Sequence, residues 1–358
     1  MPSRLDRLRA ALAARKVDAA LISSPPNVRY LSGFTGTEGS LLITDREALF
    51  LTDSRYTEQA GEQVAPRGFS VITFKQKFKE IGQQLVRLGV RSLGYEDETT
   101  TVVQQKQLAA ELGGAALEPL GKLATNLRVI KDAGEIAAIR RAVKVQEQAL
   151  EMTAPAIRPG ESEWDFALAL EFEMRRLGAS AVSFETIVGS GPRGAMPHGV
   201  ASEKKIAAGE MVVIDWGCLV DGYCSDQTIT VAVGEPSDPD ARAVYDIVRR
   251  AQQAGLDAVR PGAEFKAIDK AAREVIVDAG YGERFGHGTG HALGLEIHEE
   301  PRVSPLGVGT AEVGMVFTIE PGIYLPGRFG VRLEDIVLVT ERGGERLTGL
   351  SKDWRSAL

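Results

Sequence analysis

Cysteine is nearly absent, with only Cys218 and Cys224 in 358 residues, and that excludes a disulfide scaffold. Their spacing fits neither a CxxC redox pair nor a zinc ribbon, so two reduced thiols and a cytoplasmic location are expected. No run of about 18 apolar residues occurs, which leaves no candidate transmembrane helix. The opening Met1-Pro2-Ser3-Arg4-Leu5-Asp6-Arg7-Leu8 lacks the apolar stretch of a secretory signal. Positive charge is also short: 42 Lys and Arg stand against 49 Asp and Glu, a net charge of −7. That balance argues against nucleic acid as a partner and lends no support to an anionic membrane surface. Histidine is scarce and unevenly placed. The four are His198, His287, His291 and His298, and the first 197 residues hold none.

What is present points to an ordinary globular chain. Hydrophobic residues make up 44% and charged residues 25%, and the length suggests two domains. Residues 4–16 read as an amphipathic helix. Short apolar runs follow at 19–22, 40–43 and 48–51, the last two joined by Thr44-Asp45-Arg46-Glu47 as a hairpin. Helix patterns cover roughly 78–88 and 102–112. Asp53-Ser54-Arg55-Tyr56 reads as a solvated loop. Beyond Asn126 the pattern changes to a long helix over 133–153, with Ile136, Ile139, Val143 and Leu150 at helical spacing. The expected boundary follows: an α/β domain over 1–125 and an α+β domain over 126–358.

The second half repeats itself. Ala156-Ile157-Arg158-Pro159-Gly160 recurs 102 residues later as Ala258-Val259-Arg260-Pro261-Gly262. Met211-Val212-Val213-Ile214-Asp215 resembles Met315-Val316-Phe317-Thr318-Ile319-Glu320, an offset of 105 between the acids. Asp226 before Ile229 corresponds to Glu334 before Ile336 at an offset of 108. The spacing predicts two copies of helix, helix, strand and hairpin related by a pseudo-two-fold.

The acids of each hairpin belong together. A two-residue turn at Asp221-Gly222 pairs residues whose numbers sum to 443, so Asp215 faces Thr228. Asp226, two residues from Thr228, then shares a sheet face with Asp215. In the second hairpin Gly327 is the midpoint of Glu320 and Glu334, so these two can face each other. A solvated acidic face is one reading. Yet Ile214, Trp216, Ile319 and Pro321 border the acids, and buried like charges without a partner drive at least one carboxyl neutral. A cation removes the conflict. Four carboxylates and one imidazole, His291, are too many ligands for one tetrahedral zinc with an open position. They suit two divalent ions, which lower the pKa of a bridging water toward neutrality. Oxygen-rich ligation favours Mn²⁺, while affinity order alone favours Zn²⁺ or Co²⁺. Gly286-His287-Gly288-Thr289-Gly290-His291 has glycine at every second position, so it is not a helical HExxH site.

Asp215, Asp226, His291, Glu320 and Glu334, in that order, resemble the five metal ligands of the pita-bread metallopeptidases. Met196-Pro197-His198-Gly199, Ile297-His298-Glu299-Glu300-Pro301, Ile319-Glu320-Pro321-Gly322 and Arg332-Leu333-Glu334-Asp335 extend the match. Within that superfamily the chain looks most like the Xaa-Pro peptidases, prolidase and aminopeptidase P. Tyr30-Leu31-Ser32-Gly33-Phe34 resembles an early motif of their creatinase-like first domain. The resemblance implies an α/β creatinase-like domain followed by an α+β pita-bread catalytic domain. It implies Asp226 and Glu334 bridging two metals, Asp215 completing one site, and His291 with Glu320 completing the other. His198 is implied to handle the proton or the tetrahedral intermediate, and His298 to contact the scissile carbonyl or the substrate amine region. Glu320 is implied as proton carrier, and His287 and Arg332 as pocket or supporting residues; Tyr324, four residues after Glu320, reads either as a pocket wall or as an ordinary core tyrosine. The reaction implied is metal-dependent hydrolysis of the Xaa-Pro bond by a metal-bridging hydroxide. Arg302 is a candidate clamp for the free carboxylate of a dipeptide, so a dipeptidase is expected, with an aminopeptidase acting on longer peptides as the alternative. A homodimer is implied as well. A non-catalytic binding module of the same fold is the reading from another class, but such forms generally lose metal ligands and this chain keeps all five.

Overall fold

The computed structural model describes residues 3–354. Met1, Pro2 and residues 355–358 lie outside them. The chain divides into two compact units, Met1–Arg128 and Val129–Leu358. No described helix is long and apolar enough to cross a membrane.

The first unit is built on a six-stranded sheet in the order Ser70–Thr73, Ala48–Thr52, Ser40–Thr44, Ala19–Ile22, Ser92–Tyr95, Ala116–Pro119. The expected hairpin is present, with Ile43 opposite Ala48 and the Thr44 hydroxyl accepting from the backbone N–H of Glu47. The first helix, Arg4–Arg15, starts at a capping box between Ser3 and Asp6. Lys77–Leu88 and Val102–Ala110 match the helices read from the sequence to within two residues. Helix Pro25–Ser32 is not predicted by the pattern, because it opens on two prolines. There, in the first turn, their missing N–H groups leave no bond unmade. The outer strands Ser70–Thr73 and Ala116–Pro119 were also illegible: each is four residues long and largely exposed.

In the second unit the long helix spans Ala133–Thr153, opened by a capping box between Asp132 and Glu135. Each half then follows one plan. Helices Ala133–Thr153 and Glu163–Arg176 precede the strand pair Met211–Trp216 and Gln227–Ala232. Helices Ala241–Ala258 and Phe265–Asp278 precede the pair Val316–Ile319 and Asp335–Thr340. The core lies between strands and helices. Ile214, Trp216 and Ile229 pack with Leu150, Phe166 and Leu170 in the first half. Phe317, Ile319 and Val337 pack with Phe265 and Ile268 in the second. Burying one strand face this way leaves the other free to carry polar groups.

Both hairpins keep the expected register. Asp221 and Gly222 take positive φ of 53° and 81°, the geometry of a type I′ turn. Leu219 faces Cys224, and Asp215 faces Thr228. In the second hairpin Ile319 faces Asp335 and Gly322 faces Arg332. Glu320 and Glu334 fall at matching positions in the gap between these two ladders.

Candidate metal centre

The two hairpins meet edge to edge. The backbone N–H of Glu334 donates to the Thr228 carbonyl at 3.0 Å, and that of Arg332 donates to Thr230 Oγ1 at 3.1 Å. Asp215, Asp226 and Glu334 are all buried, so the solvated-face reading fails. Ligand atoms of Asp226, His291 and Glu334 lie within 4.8 Å of one another. His291 Nε2 is 3.5 Å from Asp226 Oδ2 and 3.4 Å from Glu320 Oε1. Asp215 borders the group from the first hairpin. Its Oδ2 accepts from Arg332 Nη2 at 2.5 Å, and its Oδ1 is buried with no hydrogen-bond partner.

The electrostatics are those of a site built for positive charge. Burial, then the charges of Glu334, Asp215 and Glu320, push the Asp226 carboxyl well above its ordinary range. Burial, then Glu320 and Asp215, do the same to Glu334. Burial also raises Glu320 and lowers His291. His291 Nδ1 lies 3.2 Å from the Ala292 carbonyl. With the proton assigned there, Nε2 presents its lone pair to two carboxylates. Acceptors facing acceptors in a buried space, beside an orphaned Asp215 oxygen, fit a divalent cation with oxygen and imidazole ligands.

Each proposed ligand is set by its local chain. Gly290 passes so close to the opposite strand that a Cβ there would stand 1.9 Å from the Thr318 carbonyl oxygen. This explains one glycine of the alternating run. Asp269, buried on helix Phe265–Asp278, accepts from the backbone N–H and hydroxyl of Thr289 and from Arg273. Arg273 in turn donates to the carbonyls of Phe285 and His287. The Glu320 N–H donates to the Thr289 carbonyl at 2.7 Å. Thr318 Oγ1 accepts from the His291 N–H and donates to Glu320 Oε1.

The other singled-out residues surround this group. The His298 ring stacks edge-on to His291 with centroids 4.4 Å apart, and burial, then the neighbouring His291, Arg302 and His198, lower its pKa. Arg302 faces His291 across the strand pair Gly290–Ala292 and Glu299–Val303. His198 is exposed. Tyr324 and His287 sit deeper. Arg332 Nη1 donates to the Tyr324 hydroxyl at 3.0 Å, and that hydroxyl lies 2.8 Å from His287 Nε2. With His287 Nδ1 donating to the Gly288 carbonyl, the relay runs in one direction through a neutral imidazole, and burial lowers the His287 pKa accordingly. Sequence reasoning missed Thr228, whose hydroxyl donates to Glu334 Oε2 at 2.7 Å and accepts from Arg332 Nε. Its signal was present in the hairpin register, which puts it opposite Asp215. Lys352 was missed too. Its buried ammonium lies 3.4 Å from Asp335 Oδ1 and donates to the Thr228 carbonyl.

A duplicated α+β unit brings buried acids and imidazoles around one space, the making of a metal-binding protein, and comparison with known proteins gives the family. Residues 137–341 match the description "Metallopeptidase family M24", and residues 4–130 match "Creatinase/Prolidase N-terminal domain". The chain belongs to metallopeptidase family M24, with a creatinase-type N-terminal domain before a pita-bread catalytic domain, as the motifs led us to expect. It is 38% identical over 355 residues to the Xaa-Pro dipeptidase of Pyrococcus furiosus, covering 99% of each chain. The solved Xaa-Pro dipeptidase from Bacillus anthracis is 41% identical, with a TM-score of 0.95 and 99% of each chain covered. The X-Pro aminopeptidase from Thermotoga maritima is 37% identical with a TM-score of 0.91, over 97% of this chain and 99% of that one. Membership of the family implies divalent metal ions.

Proposed function

We propose that this chain is an Xaa-Pro peptidase holding two divalent cations between Asp215, Asp226, His291, Glu320 and Glu334. The observation that carries the reading is His291 Nε2 lying 3.5 Å from Asp226 Oδ2 and 3.4 Å from Glu320 Oε1, with Asp215 Oδ1 buried and without a hydrogen-bond partner. Bound divalent ions supply Lewis acidity and water activation. The remaining roles belong to the protein. Exposed His198 and His298, the latter against the His291 ring, are the imidazoles that donate to the oxygen of the carbonyl under attack. Glu320 accepts a proton and delivers it to the departing proline nitrogen. That nitrogen bears no hydrogen in the substrate, so the proton must come from the enzyme or from solvent. Tyr324, His287 and Arg332 form one hydrogen-bonded chain against Asp215 and shape the pocket wall.

The relatives named dipeptidases support a dipeptide substrate, and so does Arg302 opposite His291. In this reading its guanidinium pairs with a carboxylate that follows the proline ring directly. Manganese, rather than cobalt or zinc, suits the oxygen-rich set. A homodimer is part of the same reading. The two buried free thiols agree with a cytoplasmic location. The test is hydrolysis of Ala-Pro and Ala-Pro-Ala by metal-stripped protein reconstituted with Mn²⁺, Co²⁺ or Zn²⁺. Arg302→Ala is expected to raise KM for Ala-Pro far more than for Ala-Pro-Ala. Equal effects on both would remove the dipeptide reading, and light scattering checks the dimer.

A further inference from the structure

We propose that Glu163 is a positioning residue for His198, fastening both ends of the segment 190–202 that carries this imidazole. The inference rests on His198 acting on the substrate, as proposed above.

Glu163 opens helix Glu163–Arg176 and is 0% exposed. An acid in the first turn ordinarily favours a helix through its dipole while remaining in water. A fully buried one needs donors, and Glu163 has five. Oε1 accepts from the backbone N–H and hydroxyl of Ser190 at 2.8 and 2.7 Å. Oε2 accepts from Arg193 Nε at 2.8 Å and from the backbone N–H and hydroxyl of Ser202 at 3.2 and 2.6 Å. Ser190 and Ser202 are the two ends of one excursion. It leaves strand Ile187–Ser190, makes a short turn over Gly191–Ala195, and passes through Met196-Pro197-His198-Gly199.

The excursion is tied at three levels. At the root, one carboxylate holds both ends. Midway, Arg193, held by Glu163, donates through Nη2 to the Val200 carbonyl at 2.6 Å. At the tip, Arg332 Nη1 donates to the Pro197 carbonyl at 3.1 Å. His198 follows that carbonyl immediately. A side chain that is itself exposed has little packing to fix it, so its placement depends on the backbone beneath. A misplacement of about 1 Å in such a group costs roughly 100-fold in rate.

A double-mutant cycle with Ala-Pro as substrate separates positioning from general support of the fold. Glu163→Gln keeps the shape and removes the charge that gathers five donors. It is expected to lower kcat by about 10- to 100-fold with KM little changed. In a His198→Ala background the same change is expected to cost less than about twofold, because coupled residues are not additive. Arg193→Gln, at a partly exposed position, serves as a milder second variant should Glu163→Gln fold poorly. Amide hydrogen exchange should quicken over 191–201 in both, while metal content, measured by elemental analysis, stays at the wild-type level. Equal losses with and without His198 would overturn the proposal, as would loss of metal or unchanged exchange in this segment. If His198→Ala alone leaves turnover intact, the assignment of His198 falls, and exchange over 191–201 still decides whether Glu163 holds the segment.

Discussion

Arg332 Nη2 donates to Asp215 Oδ2 at 2.5 Å, while the other oxygen of Asp215 is buried without a hydrogen-bond partner. The same guanidinium reaches Thr228, Tyr324 and the Pro197 carbonyl. Burial pulls Arg332 down, but Tyr324, Asp215 and Glu320 outweigh it and hold the guanidinium above its ordinary range. A lysine keeps the charge but has neither the fork nor the reach for four partners. Arg332→Lys is therefore expected to weaken divalent-metal binding by about 10- to 100-fold, read by isothermal titration. Unchanged affinity would show that Asp215 needs no orienting partner.

Metal should stabilise the chain, because without it Asp226, Glu320 and Glu334 repel one another. At a free metal concentration 100 times Kd the gain is about 2.7 kcal/mol, visible as a rise in Tm. Asp226→Asn is expected to raise the Tm of the metal-free chain and to abolish most of the metal-dependent rise. A lower metal-free Tm for Asp226→Asn would argue that Asp226 is held by protein donors instead.

The thiols give a prediction about pH. Burial pushes Cys218 up to about 11 and Cys224 up to about 12. Both are protonated at pH 8, so iodoacetamide should leave the native protein unmodified and alkylate both after unfolding. Since the folded pKa values are raised, the stability linked to these groups is fully present below the ordinary thiol range. It is lost as pH climbs from about 8.5 through 11 and 12, because the unfolded chain ionises first. A Cys218→Ala, Cys224→Ala double variant should show a shallower fall in urea midpoint over that interval. An identical slope would contradict the burial argument.

Lys352 and Asp335 form a buried pair beside Glu334, and the Thr348 hydroxyl and Gln252 amide also donate to Asp335. Burial lowers the Lys352 pKa, with Asp335 and Glu334 opposing. Lys352→Met leaves Asp335 with one charge partner fewer and should cost about 3 kcal/mol in urea unfolding. Adding Asp335→Asn should recover part of that loss. A cost near zero would mean that Arg346, 3.6 Å from Asp335, suffices alone.

Much of this architecture was legible because strands have a period of two and turns fix register. Asp221-Gly222 alone places Asp215 opposite Thr228, and the midpoint at Gly327 alone aligns Glu320 with Glu334. The long helix could be read to its ends because its apolar stripe is regular. What stayed hidden depends on contacts between residues distant in sequence. Glu163 reads as a surface acid in a first turn, and nothing local says that Ser190 and Ser202 will enclose it. The partners of Arg332 lie from 8 to 135 residues away, and strand periodicity told only which face it shares with Glu334. Lys352 follows Ser351 in a stretch with no periodicity.

Neither repeat is sufficient by itself. The first hairpin contributes Asp215 and Asp226, and the second contributes Glu320, Glu334 and, on the strand beside it, His291. Separated, each half would display an unbalanced scrap of acidity with nothing to gather around. On the proposed ligand set, cation capture would belong to the closed pair, as it would to a dimer meeting across a two-fold axis. A polypeptide severed between Val233 and Asp240 ought to regain it only when both pieces reassociate.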